Sequence, residues 1–265
     1  MDSTTNERKD AAFSKSECGP TATWLIRGTD YILGGAAYLI GSAALLATGV
    51  FLLFGPVEMI DVRVGVVGAL IINTILSLMF FVQHSGMVRS SFRDFLGRFV
   101  RPKYHGAIYT ISAGVTLFAL LLLWRPTDIM IASADGSLRF LLRALFGLSL
   151  LMFFWGARSL GSFDSFGLNP LFRNTDASSG NTQKLHIRGA YRFVRHPLYT
   201  ATIVMMWSHP DLTVDRLLFN VLWTAWIVTA TTWEEKDLAV QFGEAYDTYR
   251  RNVPMLVPSF RRKAR

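Results

Sequence analysis

The sequence predicts an all-α polytopic membrane protein, with four spans followed by a C-terminal helical hairpin (five to six membrane helices) and a cytoplasmic C-terminal cap. Three observations predict it. Hydrophobic residues make up 51% of the chain and charged residues only 17%, where a soluble domain usually carries about a quarter charged residues. The apolar residues gather in long uncharged blocks. Finally, 22 of the 27 lysines and arginines fall in segments that this layout places on one side of the membrane, as the positive-inside rule requires of the cytoplasmic side.

Each element follows in order. Residues 1–25 are polar and mixed in charge, lack the basic-then-apolar pattern of a cleaved signal peptide, and read as a flexible cytoplasmic tail. Tyr31 to Gly55 is uncharged. At 1.5 Å per residue, about 20 residues cross a ~30 Å hydrocarbon core, so this block spans, and Gly34 and Gly35 suit close helix packing. Val64 to Val88 and His105 to Trp124 are the second and third blocks. Leu138 to Ala157 is the fourth, with Arg139 and Arg143 near its start, where they can snorkel to the interface. Residues 26–157 therefore form a four-helix membrane region, and residues 158–265 a loop, a hairpin and a cap. The hairpin arms are Pro197 to Pro210 and Leu217 to Trp233, separated by "HPDLTVDR". The first arm is short for a full span, which predicts a broken or late-starting helix. "NTDASSGNTQ" (174–183) reads as a flexible loop.

Composition also excludes functions. Cys18 is the only cysteine, which removes an intrachain disulfide, a cysteine-ligated zinc cluster and an iron–sulfur site; no metal is expected. The +8 formal charge lies between apolar blocks and at "FRRKAR". It fits anionic membrane lipid as a partner rather than nucleic acid. No charged residue sits deep inside a clear span, which argues against proton-coupled transport.

The layout collects the unusual polar residues on the cytoplasmic face: His84, His105, His186, His196, Asp164, Glu234 and Glu235. "RFVRHPLYT" (192–200) places Arg195, His196, Pro197 and Tyr199 at the mouth of the hairpin. Proline is favoured at the first helical position, and the dipole there favours an anion. Arg195 adds a donor fork for a carboxylate, His196 can donate or accept, and Tyr199 offers a ring face to a cation. A basic juxtamembrane stop is the plainer reading of the same residues. Glu234 and Glu235 end the second arm, where the helix dipole disfavours negative charge; they suit pairing with an arginine or an ammonium, or a solvated helix end. In "FVQHSGMVR" (81–89), His84 is a candidate general base, with Gln83 and Ser85 as candidate substrate contacts. Asp164, in "FDSFGLNPLF" (163–172), is a second candidate base or an N-cap.

These motifs carry a resemblance. "GAYRFVRHPLYT" (189–200) and "EEKDLAVQFGEAYDTYRRNVPMLVP" (234–258) resemble the integral-membrane methyltransferases of the isoprenylcysteine carboxyl methyltransferase type, over the last third of the chain. The resemblance implies that Arg195, His196, Pro197, Tyr199, Glu234 and Glu235 hold S-adenosylmethionine at the cytosolic face, and that Tyr246 and Tyr249 help close the pocket. The front half, with "FFVQHSGMVR" and "FDSFGL", looks like the bacterial methanethiol S-methyltransferases. It implies methyl transfer to a small thiol, methanethiol giving dimethyl sulfide, in a bacterial inner membrane with both termini cytoplasmic. Ala201 and Met255 depart from a glycine and an arginine common in the family. Two alternatives stay open: methylation of a lipid-like substrate (an isoprenylcysteine carboxylate or a phospholipid amine), and a non-catalytic membrane protein linked to nitrogen-oxide metabolism.

Overall fold

A computed structural model describes residues 20–57, 64–161, 164, 166–172, 185 and 187–258, with residues 20–27 described by their backbone alone. Cys18, His186, the 174–183 loop, most of the expected tail and the "FRRKAR" end lie outside the described residues. The helices are α1 (Pro20–Phe54), α2 (Val66–Val88), α3 (Ser90–Leu96), α4 (His105–Leu123), α5 (Gly136–Ser159), the single turn α6 (Asn169–Phe172), α7 (Pro197–Trp207), α8 (Val214–Phe242) and α9 (Glu244–Asn252). Because α1 begins at Pro20, the last residues of the expected tail are helical.

Four helices contain stretches long and apolar enough to cross a membrane: Gly28–Phe54, Val66–Val88, Pro102–Leu123 and Gly136–Ser159. They match the four uncharged blocks. In lipid every backbone donor and acceptor must be satisfied within the segment, which leaves the helix as the available form. Outward residues such as Leu39, Leu46, Val67, Met79, Phe140 and Leu151 are exposed over more than three-fifths of their surface. A bilayer solvates such a surface and water does not.

The core is aromatic. Phe51, Phe80, Phe81, Trp124 and Phe219 are buried together with Leu120, Met205 and Met206. Along α8, residues 219, 223 and 226 recur on one helical face and meet α2. Phe219 stacks on Trp223 at 4.7 Å, Trp223 on Phe80 at 5.2 Å, and Trp226 on Phe81 at 4.7 Å. Such pairs contribute about 0.5–1.5 kcal/mol each beyond burial.

The hairpin has the expected short first arm. Helix α7 is 11 residues long, about 16 Å at the helical rise. The chain then continues extended as β2 (Asp211–Thr213), which pairs antiparallel with β1 (Met130–Ser133) between α4 and α5. This ribbon satisfies backbone groups that a broken helix would leave orphaned. Helix α8 returns antiparallel to α7: Trp207 Nε1 donates to Thr224 Oγ1 at 3.0 Å at one end, and Tyr199 meets Glu234 at the other. Val214 to Glu234 is about 30 Å of helix, one hydrocarbon thickness.

Helix α8 starts at Val214, earlier than the apolar run suggests, and takes in Asp215 and Arg216. Both are buried. Asp215 accepts from Trp124 Nε1 at 3.0 Å and from the Thr127 hydroxyl at 2.8 Å. Arg216 donates to the carbonyls of Phe51 and Leu52, and Arg143 to that of Leu53. These carbonyls lie in the last turn of α1, where cations complement the helix dipole. Arg139 bonds both carboxylate oxygens of Asp211, at 2.5 and 2.9 Å. Arg139 and Arg143, expected to snorkel, are instead held by protein groups: the α7–α8 turn brings Asp211 to Arg139, and the end of α1 offers the Leu53 carbonyl to Arg143.

The segment 166–172 docks on α1 and α4. Phe166 and Phe172 press against Gly41 and Gly34, and the Thr110 hydroxyl donates to the Phe166 carbonyl at 2.8 Å. Gly106 and Gly167 bring two backbones together: a Cβ on Gly106 would lie 2.1 Å from the Gly167 carbonyl oxygen. Gly106→Ala is therefore expected to destabilise the fold by about 1–3 kcal/mol, the range of overpacked cores, seen as a lower midpoint of thermal unfolding in detergent.

His209 lies in the turn after α7. Burial, with Arg216 and Arg143 nearby, pulls its imidazole down to about 4. The unfolded chain, with an ordinary value near 6.5, takes up the proton first. Stability from this group is thus complete above about pH 6.5 and lost as pH falls toward 4. His209→Gln should flatten the decline of the unfolding midpoint across that window; an unchanged decline would assign it to other groups.

Candidate active site

The RHP segment is placed by two neighbours. A 3-10 turn over Gly189–Arg192 precedes it. The chain after α9 runs beside it: the Arg195 amide donates to the Pro254 carbonyl at 2.9 Å, the His196 amide to that of Met255 at 3.2 Å, and the Thr200 hydroxyl to that of Leu256 at 2.8 Å. Pro197 then begins α7, with His196 as its N-cap residue. Ala201 is fully buried, and Gly156 on α5 admits Pro197 and Leu198 at close range.

Arg195 is buried and fully engaged. Its Nε donates to Glu235 Oε1 at 2.7 Å, a second guanidinium nitrogen lies 2.7 Å from the same oxygen, and the third donates to the carbonyls of Arg250 and Val253. One guanidinium thus ties the hairpin mouth to the end of α9. His196 Nε2 lies 3.2 Å from Glu235 Oε1. Burial lowers the His196 pKa despite the two glutamates, which pull the other way. The neutral ring donates through Nε2 and keeps a lone pair on Nδ1, which lies 3.9 Å from Glu234. Tyr199 stacks on His196, centroids 5.6 Å apart, and its hydroxyl donates to Glu234 Oε2 at 2.9 Å.

The two glutamates differ. Adjacent on α8, they point to different sides of the helix. The Glu235 side chain is 11% exposed and spent on Arg195 and His196; that of Glu234 is 45% exposed. Behind them Tyr246 and Tyr249 are buried. The Tyr249 hydroxyl donates to the Tyr191 carbonyl at 2.6 Å. The Tyr246 hydroxyl has no hydrogen-bond partner among the described residues. Burial, with Glu235 adding, pushes this phenol up to about 12, so it is a neutral donor at physiological pH.

The remaining candidates lie apart from this cluster to different degrees. His84 pairs with the Tyr109 hydroxyl on α4 and stacks on Phe80 at 5.1 Å. Beside Glu234, Trp233 carries Arg89 over its ring at 5.0 Å, which ties the end of α2 to α8. Gln83 is used between helices: its Oε1 accepts from Thr116 at 2.8 Å and its Nε2 points at Met87 Sδ, 3.0 Å away. Ser85 is half-buried one residue on from His84. Asp164 folds back on its own segment, accepting from the Asn169 amide at 2.5 Å. That bond satisfies the first amide of α6. Sequence reasoning missed Tyr109 and Tyr191. Tyr109 and Thr116, seven residues apart on one face of α4, oppose His84 and Gln83, and that spacing is the signal that could have found them.

Similarity to known proteins covers this region. The phospholipid methyltransferase family model matches residues 139–245. Methanethiol S-methyltransferase 2 of Bradyrhizobium diazoefficiens is 34% identical over 72% of this chain and 73% of its own length. The methanethiol S-methyltransferase of Pseudomonas deceptionensis is 32% identical over 73% and 74%, and that of Crocosphaera subtropica 31% over 75% and 78%. The chain belongs to the methanethiol S-methyltransferase family. No solved structure matches it significantly. The match to the phospholipid methyltransferase model runs from the start of α5 into α9. It thus includes the RHP segment and the glutamate pair, and leaves out His84 and Tyr109.

Arg195→Met would leave Glu235 buried without its cation, a change that costs about 3–5 kcal/mol. The expected result is loss of hydrogen-exchange protection in α9 and residues 253–256 ahead of the spans. Equal loss throughout would show that the pair does not hold the cap specifically.

Proposed function

We propose that this protein transfers a methyl group from S-adenosylmethionine to the sulfur of methanethiol, forming dimethyl sulfide, at the cytoplasmic face of a bacterial inner membrane with both termini cytoplasmic. The observation that carries the reading is the Glu234 carboxylate. It is the open acidic group of a cluster whose other charges are already paired, and it stands between the Tyr199 ring and the hairpin mouth. A half-exposed carboxylate beside an aromatic ring fits a small molecule that carries an ammonium and a sulfonium. Family membership, and relatives named for methanethiol, support the same activity.

When bound, the cofactor supplies a methyl group on a positively charged sulfur. The chain's own residues do the rest. Glu234 takes the ammonium, a charge-assisted contact of about 1.5–3 kcal/mol. Tyr199 offers a ring face of the kind that stabilises cations. Arg195, first read as a clamp for the cofactor's carboxylate, acts here with Glu235 to hold the cap against the hairpin. Pro197 fixes the start of α7. Tyr249 anchors α9 through Tyr191. His84 accepts the thiol proton, since the thiolate is the competent nucleophile; Gln83 and Ser85 border that position, and Asp164 serves as a cap.

The test is purified protein with labelled cofactor and an acceptor panel of methanethiol, larger thiols and a phospholipid amine. Dimethyl sulfide above the no-enzyme background is expected, with little label in the amine; labelled lipid without dimethyl sulfide would overturn the proposal. Glu234→Gln should weaken cofactor binding by calorimetry at least about tenfold and leave the unfolding midpoint nearly unchanged.

A further inference from the structure

The link between α2 and α4 has two faces of opposite character. Helix α3 and the turn after it run from Ser90 to Val100, with the amides of Gly97, Phe99 and Val100 bonded back to the carbonyls of Arg93 and Leu96. Phe92, Phe95, Leu96 and Phe99 recur at the i, i+3, i+4, i+7 spacing of one helical face. Arg93, Asp94, Gly97 and Arg98 take the opposite face. The Phe95 ring centre lies 6.4 Å from that of Phe92 and 5.4 Å from that of Phe99, so the three rings form one ladder. Protein covers only part of it. Phe92 and Leu96 are half-buried, whereas Phe95 is 52% and Phe99 74% exposed. The segment is nonetheless held in place. The His105 ring bonds the Val100 carbonyl at 3.2 Å, Lys103 pairs with Asp30 of α1 at 2.8 Å, and Arg89 lies over the Trp233 ring.

Position and charge decide what covers the outer rings. The segment joins two helices that each carry a membrane-length apolar stretch, so it sits where both leave the hydrocarbon. Aromatic rings exposed at that level meet headgroups and upper acyl chains. Its charge is one-sided: Arg89, Arg93, Arg98, Arg101 and Lys103 stand against a single acid, Asp94, in residues 89–104. Arg89 and Lys103 are engaged within the protein. Arg93 and Arg98 are exposed beside the rings.

We propose that residues 90–100 are an interfacial anchor for a membrane surface bearing anionic phospholipid, on the side of the hairpin mouth. Phe95 and Phe99 enter the boundary between headgroups and acyl chains, where such helices bury their apolar face about 5–10 Å deep. Arg93 and Arg98, on the other face, reach the lipid phosphates. Their attraction to an anionic surface falls away within a screening length, so added salt weakens it. The anchor does not depend on the methyl transfer proposed above.

The test uses the chain's single cysteine, Cys18. In the full chain carrying Cys18→Ser, one of Asp94→Cys, Phe95→Cys, Arg98→Cys or Phe99→Cys is added and spin-labelled. Each protein is reconstituted into phosphatidylcholine vesicles with or without phosphatidylglycerol. Collisions of the label with oxygen, which concentrates in lipid, are compared with collisions with a neutral, water-soluble nickel complex. With phosphatidylglycerol present, labels at 95 and 99 should meet oxygen more than nickel, and labels at 94 and 98 the reverse. Omitting phosphatidylglycerol, or raising salt from about 0.1 to 1 M, should increase nickel collisions at 95 and 99 about twofold or more. Arg93→Gln with Arg98→Gln should remove that dependence on lipid charge. Nickel-dominated collisions at all four positions would place the segment in water and overturn the anchor. Few collisions with either reagent at 95 and 99 would show that protein, such as a second copy of the chain, covers the rings, and would overturn it as well. Labels in lipid that ignore phosphatidylglycerol, salt and the two arginines would overturn the anionic partner.

Discussion

A buried ion pair at the hairpin mouth organises the candidate site. Arg195 lies just before α7 and Glu235 on the antiparallel α8, and the same guanidinium holds the end of α9 by two carbonyls. Three separate stretches of chain thereby share one cation. The pair sits where both charges are largely removed from water, so its value lies in geometry as much as in energy: a well-packed apolar replacement can match such a pair in stability, yet would not specify that the cap docks here. With Glu235 committed, Glu234 is left as the open carboxylate. Two adjacent glutamates thus divide into a buried, ion-paired one and a half-exposed one because a helix turns about 100° between them.

The opposite end of the hairpin solves a different problem. An 11-residue arm cannot cross the bilayer alone, and a plain loop at membrane depth would leave backbone groups unpaired. The chain answers with a short antiparallel ribbon, with Asp215 bonded to Trp124 and Thr127, and with arginines on the last carbonyls of α1. The two polar ends are joined by the aromatic run along α8, which keeps α2 in register. That register sets His84 opposite Tyr109, within reach of the hairpin mouth.

Much of the fold was legible in the sequence. Uncharged runs marked the four spans nearly to the residue, since a helix in lipid is dictated by length and apolarity. The short arm after Pro197 announced an irregular hairpin. Asp215 and Arg216 were harder to place: in sequence they resemble a loop, and only the carbonyls and donors of distant segments make their burial tolerable. The same holds for Arg139 and Arg143, whose partners are set by where the α7–α8 turn and the end of α1 fall. Asp164 shows the limit for site residues, because a cap and a base have the same local sequence.

By itself the sequence determined the membrane class, the four long spans and the two motifs that meet at the hairpin mouth. These follow from local composition and from motif spacing. Tertiary structure decided which charges are spent and which remain open: Arg195 and Glu235 on each other, Glu234 toward the site, His84 toward Tyr109. The reason is physical. Whether a polar group is satisfied depends on partners tens of residues away, brought near only when the helices pack.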